Sequence, residues 1–170
     1  MAKVIGKIGM ISGNVDETTG ALSRANQVYH VPARTGSIGA TAGFVQNNDT
    51  GIVTCPASQT AATFCIPLNL KQGDVITAFK VSGQLESAGN IATVDADLRA
   101  TTAAAADLSD ASVGAIDQIS KTADYKIADS KNGLSHTVIS GNSYYVLITV
   151  TTAASTDIAL QGVEVTVTEK

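Results

Sequence analysis

The 170-residue chain carries two histidines, His30 and His136, and with them its reactive chemistry nearly ends. They lie far apart in sequence, and neither has a cysteine or second histidine at ligand spacing, so a zinc-type site lacks its donors. Both are expected to be structural, His136 within the alternating run Leu134 to Ile139. Asp95 and Asp97 stand two apart on a strand, which puts both carboxylates on one face. Calcium asks for roughly six to eight oxygens, and no dense Asp/Asn loop surrounds this pair, so solvated face charges are expected. Asn47-Asn48-Asp49 has the composition of a turn leading into a strand. A serine nucleophile would have to draw its base from two isolated histidines, and no G-x-S-x-G, phosphate loop or dinucleotide fingerprint is present. Glu17, Glu86, Glu164 and Glu169 lie in no apolar stretch of the kind a general acid needs, which leaves only aspartate pairs open for glycoside hydrolysis. The expectation is a protein with no catalytic residue, metal or cofactor. For a sugar it offers no Trp and little beyond Tyr29, Tyr125 and Tyr145 as an aromatic platform.

Cys55 and Cys65 flank the turn-like segment Pro56-Ala57-Ser58-Gln59. Two cysteines make no disulfide framework; a bridge across a hairpin needs facing sulfurs, and two free thiols are expected instead.

The elements that would position these residues alternate with period two. After the turn Lys71-Gln72-Gly73-Asp74, Val75, Thr77, Phe79, Val81 and Leu85 are expected to point one way, and Asp74, Lys80, Ser82 and Gln84 the other. Ala92, Val94, Ala96 and Leu98 then alternate with Thr93, Asp95, Asp97 and Arg99, which gives one buried face and one wet face. Earlier strands are expected at Gly51–Cys55 and Ala62–Ile66, later ones at Ile116–Ile119, Tyr125–Ala128, Leu134–Ile139 and Ser143–Thr151. The alanine-rich segment Thr101 to Ser112 has no amphipathic stripe and is expected to be a loop with one helical turn at most. Tyr144, Val146, Ile148 and Val150 form one face of the Ser143–Thr151 strand, yet Tyr145 and Leu147 make the other face apolar too. That strand lies either beneath a second layer or against a second subunit, and Tyr145 and Leu147 are the candidate subunit interface. In the last strand the apolar parity shifts between Ile158, Leu160 and Val163, Val165, Val167, so a β-bulge is expected at Gln161-Gly162. About eight strands from Gly51 onward make the expected fold all-β, a two-sheet antiparallel sandwich of jelly-roll type spanning 51–170. Residues 1–50, rich in glycine, form an extended N-terminal arm with short strands that packs along its own domain or reaches a neighbour.

The hydrophobic fraction is 44% but aromatics contribute 4%, so the core is built from small side chains and subunit burial is an expected source of added stability. The net charge of −4 argues against nucleic acid or an anionic membrane as partner. Residues 1–34 hold four bases against two acids, and the remainder seven bases against thirteen acids. Lys3, Lys7, Arg24 and Arg34 are therefore the candidate docking residues of the arm. The first ten residues lack the apolar run of a signal peptide, so synthesis in a cytosol is expected.

The stretch from Phe64-Cys65-Ile66-Pro67 through Gln72-Gly73-Asp74, the Tyr144-Tyr145 strand and the closing Leu160-Gln161-Gly162-Val163 resembles the jelly-roll accessory proteins of tailed-phage virions, of the capsid decoration, cement or head-fibre type. The resemblance covers about residues 62–168. It implies a non-enzymatic homotrimer on the outer surface of a virion, with the major capsid protein as partner through the arm. The alternative is a surface adhesin or carbohydrate-binding sandwich with a host-surface glycan as partner.

Overall fold

The computed structural model describes residues 13–15, 22–24, 26–39, 43–47, 50–103 and 107–169. The chain is all-β. A two-stranded hairpin, β1 (Gly13–Val15) with β2 (Leu22–Arg24), stands apart from a ten-stranded antiparallel sheet. That sheet comprises β3 (Asn26–Pro32), β4 (Ser37–Ile38), β5 (Val45–Gln46), β6 (Val53–Cys55), β7 (Ala62–Leu68), β8 (Val75–Ala103), β9 (Leu108–Ile127), β10 (Ser130–Thr137), β11 (Asn142–Thr152) and β12 (Thr156–Thr168). It curls on itself as a jelly-roll-type sandwich. No helix among the described residues is long and apolar enough to cross a membrane.

β8 explains the curl. The two alternating runs that look separate in sequence are one 29-residue strand. Its first half pairs with β12 and β10, and its second half pairs with β11. Between them the register against β9 shifts at Leu85, Ala88 and Ala92, and Gly89 takes a φ of 91°, open to glycine at no steric cost. The corner is tied down by Asn90, whose side-chain amide donates to the Ala154 carbonyl at 2.8 Å. One layer is thus β3, β12, β6 and the first half of β8 with β10, and the other is β4, β7, β11 and the second half of β8. β9 follows β8 around the corner, so the expected strands at 116–119 and 125–128 are parts of one element.

The alternation works as expected where both neighbours are regular. Ala92, Val94, Ala96 and Leu98 are buried, as are Tyr144, Val146, Ile148 and Val150, and they face Phe79, Val81, Leu85 and the β12 side chains across the core. Ile158, Leu160, Val163, Val165 and Val167 are all buried because the register breaks between Leu160 and Gly162, so the expected bulge is present.

Three local expectations are corrected. First, Thr101–Ala103 and Leu108–Ser112 are strand and not loop: β8 continues to Ala103, which pairs with Leu108 of β9, and Arg99 Nε donates to Asp110 at 2.7 Å. Backbone pairing there meets both strands' polar groups, which a lone helical turn would leave to water. Second, a further bulge at Thr77 reverses the parity at the start of β8. Ala78 pairs with Thr166 and Ile76 with Val167, and the Thr77 hydroxyl seals the gap by donating to the Thr166 carbonyl at 3.2 Å. Asp74 and Ile76 therefore turn inward while Val75 and Thr77 are half-buried, and both Asp74 carboxylate oxygens lack a hydrogen-bond partner. Third, Pro56–Gln59 is not a hairpin turn, since β6 pairs with β12 and β7 with β11. It crosses between layers, clamped by Thr152, whose hydroxyl donates to the Pro56 carbonyl at 2.7 Å and accepts from the Gln59 N–H at 3.0 Å. Cys55 faces the core and Cys65 the outer side of β7, and both thiols are free.

The three strands β3, β4 and β5 are hydrogen-bonded to the sandwich. β3 pairs with β12, β4 with β7 and β5 with β6. Ala33 is fully buried in the core, and Phe44 stacks on Phe64 with ring centroids 5.2 Å apart. The later part of the glycine-rich region thus supplies three strands and two core side chains.

Candidate functional site

The structure gathers polar side chains on the outer face of each layer. In the β7–β11–β8–β9 layer, cross-strand register aligns Pro67, Tyr145, Arg99 and Ser112 in one row and Cys65, Leu147, Asp97 and Ala115 in the next. Arg99 is the hub: it donates to Asp97 at 2.5 Å and to Asp110 at 2.7 Å, and it hydrogen-bonds the Tyr145 hydroxyl. Ser112 donates to Asp97, and Gln118 donates to Asp95 at 3.0 Å. Burial of Asp110 opposes ionisation, yet hydrogen bonds from Tyr145 and Arg99 hold its carboxyl below the ordinary range, while burial and the Asp110 carboxylate push the Tyr145 phenol up. This network is satisfied from within. Asp95 and Asp97 lie on the expected outer face but are hydrogen-bonded instead of solvated, and Tyr145 and Leu147 are half-buried by their own sheet.

The histidines have polar neighbours of their own. His136 Nε2 lies 3.1 Å from the Tyr144 hydroxyl, which accepts the Ile139 N–H at 3.0 Å. His30 lies on the opposite layer beside Glu164, 3.8 Å from its carboxylate, with Lys80 on that same carboxylate at 3.1 Å. Among the described residues no three His, Cys, Asp or Glu side chains converge as a cation site.

The second outer face carries a cleft of about 770 Å³. Register puts Lys126, Gln84 and Ala159 in one row across β9, β8 and β12. Gln84 and the small side chain of Ala159 make the floor, with Asp124 and Lys126 on one side. The other wall is Pro32 and Arg34 with the turn Thr50-Gly51-Ile52. That turn is built as its composition implies: Asn47 Oδ1 accepts the Thr50 N–H at 3.3 Å, and the Asn47 carbonyl accepts the Gly51 N–H at 3.0 Å. Gly51 has a φ of 71°, and the Arg34 side-chain stem lies against it. The bulge brings Gln161 to the rim, and Tyr125 borders the cleft with its hydroxyl donating to Asp129 at 3.2 Å and Lys121 Nζ over its ring at 4.5 Å.

Of the sequence candidates, Arg34 lies in this cleft; Lys3 and Lys7 fall outside the described residues, and Arg24 lies on β2. Gln84, Lys126, Asp124, Ala159 and Gln161 were not singled out as a site, because they come from three strands with no local motif.

No family model matches the chain, and no curated protein matches it. Among solved structures it is similar to the carbohydrate-binding module CBM36 in complex with calcium and xylotriose, at 16% identity over 81% of this chain and 98% of that one, with a TM-score of 0.49. It is similar to the carbohydrate-binding module of Cellvibrio mixtus lichenase 5A in complex with cellotriose, at 13% identity over 84% and 97%, with a TM-score of 0.39. The structure of infectious bursal disease virus, Gt strain, is similar over 97% of this chain and 36% of that chain, at 16% identity and a TM-score of 0.42. At these identities the likeness is one of fold alone.

Proposed function

We propose that this chain is a non-catalytic recognition module that binds a saccharide in the cleft on the β9–β8–β12 face. The observation that carries the reading is the lining of the cleft. Gln84, Gln161, Thr50 and Asp124 supply donors and acceptors, and Ile52, Pro32 and Ala159 supply apolar patches on which the C–H face of a sugar ring can rest. A concave site with a few convergent polar groups on rigid strands is the usual form of a small-ligand pocket. The Arg99 network, by contrast, has spent its hydrogen bonds on itself. A glycan panel, followed by calorimetry with Ala159→Gln to fill the floor, tests this. Binding that disappears in the folded variant is expected, and binding unchanged by the filled floor would move the site elsewhere.

A second reading, a virion decoration protein that docks through its N-terminal region as a trimer, is favoured by apolar side chains left exposed there, among them Val28 and Val45 at 46% and 62%. Light scattering on the same sample separates the two: a trimer supports the decoration reading, and a monomer removes its assembly.

A further inference from the structure

We infer, resting on the saccharide reading, that the ligand of this cleft is an acidic oligosaccharide, one whose sugar carboxylate sits between Arg34 and Lys126. Three cations of the described chain are engaged elsewhere. Lys80 is paired with Glu164, Arg99 with Asp97 and Asp110, and Lys121 lies over Tyr125. Among the described residues Arg34, Lys71, Lys126 and Lys131 have no ion-pair partner, and of these Arg34 and Lys126 line the same cleft from opposite walls. This arrangement runs against the composition, since residues 35–170 hold seven bases and thirteen acids. A concave, low-dielectric wall focuses such a local positive potential, so an anion is drawn to this place on an otherwise acidic molecule.

The details select a carboxylate on a polyol. The Arg34 guanidinium presents a planar fork that matches a carboxylate bidentately, and Lys126 adds a point charge. Asp124 reduces the local charge to about one net positive, which matches one carboxylate and leaves most charges of a polyphosphate without a partner. One Asp124 oxygen already accepts the Ser87 N–H at 2.9 Å, which fixes that carboxylate and leaves the other oxygen to accept a sugar hydroxyl. The Gln84 amide nitrogen donates to Glu86 at 2.9 Å, so its carbonyl oxygen is held ready as an acceptor. Gln161 at the bulge supplies an amide at the rim.

The test uses the full chain and two probes, a galacturonate pentamer and the same oligomer with its carboxyls reduced to alcohols. Calorimetry is expected to show the acid bound at least about tenfold more tightly than the neutral form, with the preference shrinking as salt is raised. Arg34→Gln and Lys126→Gln are each expected to lower affinity for the acid about tenfold and to leave the neutral oligomer unchanged, whereas Lys131→Gln, on β10 and outside the cleft, changes neither. Equal binding of the acid and reduced oligomers overturns the inference and leaves the saccharide reading standing. Binding of the reduced oligomer alone does the same. Binding of neither here, together with a blank glycan panel, overturns both. Circular dichroism of each variant confirms that lost affinity is not lost fold.

Discussion

Cys55 shows how one side chain in this core makes stability depend on pH. It is fully buried on β6, and burial pushes its thiol up to about 11 from 9.0, against the opposing hydrogen bond with Thr152. Below pH 9 the thiol is protonated in both the folded and unfolded states and contributes no pH dependence. Between pH 9 and about 11 the unfolded chain gives up a proton that the folded chain keeps, so stability falls as pH rises, by on the order of 2 kcal/mol across that window. Burial also raises Cys65, Tyr125 and Tyr145, each of which adds a loss of the same sign. Cys55→Ala separates the contributions. Urea unfolding of the parent and variant at pH 8 and pH 10.5 is expected to show the smaller pH-dependent loss in the variant, and identical losses would take Cys55 out of the account.

Among the elements, the glycine bulge in β12 does two jobs. It restores the inward direction of Val163, Val165 and Val167 after Leu160, and it lets β3 approach closely, because a Cβ on Gly162 would overlap the Val31 carbonyl oxygen and crowd Pro32. Gly162→Ala is therefore expected to cost about 1–3 kcal/mol in denaturant unfolding, with faster amide exchange confined to Val28–Val31. Exchange that speeds up uniformly, or not at all, would mean β3 does not depend on that glycine. This bulge was legible because the apolar parity changes at a glycine. The one at Thr77 was not, because Val75, Ile76 and Thr77 are all β-branched and Asp74 reads as a surface residue, so nothing local marks where the alternation breaks. The union of two strands into β8 was hidden for a related reason: Ser87 to Asn90 has turn composition, yet its backbone bends without reversing the chain.

At the scale of the whole molecule, the sandwich was legible and the cleft was not. Alternation reports which face of a strand is buried; it does not report which distant strands lie side by side. Arg34 reads in the sequence as a charge on an arm, yet its chemistry depends on Gly51, Gln84 and Lys126 being brought to it by the turn before β6, by β8 and by β9. β3 pairs with β12 from Asn26 to Pro32, and Ala33 is buried directly after it, so these residues pack as part of the sandwich. Removing residues 1–25 leaves those contacts whole and is expected to preserve both the thermal transition and saccharide affinity within about twofold. Removing residues 1–34 strips an edge strand, exposes the outer side of β12, opens the space held by Ala33 and deletes Arg34, so stability and binding are expected to fall together. Arg34→Gln in the full chain divides the two effects, because it removes the charge and keeps the strand. Thermal melts and calorimetry on the three proteins give the answer, and a 35–170 fragment that melts with the full chain would show that β3 leans on the sandwich without supporting it.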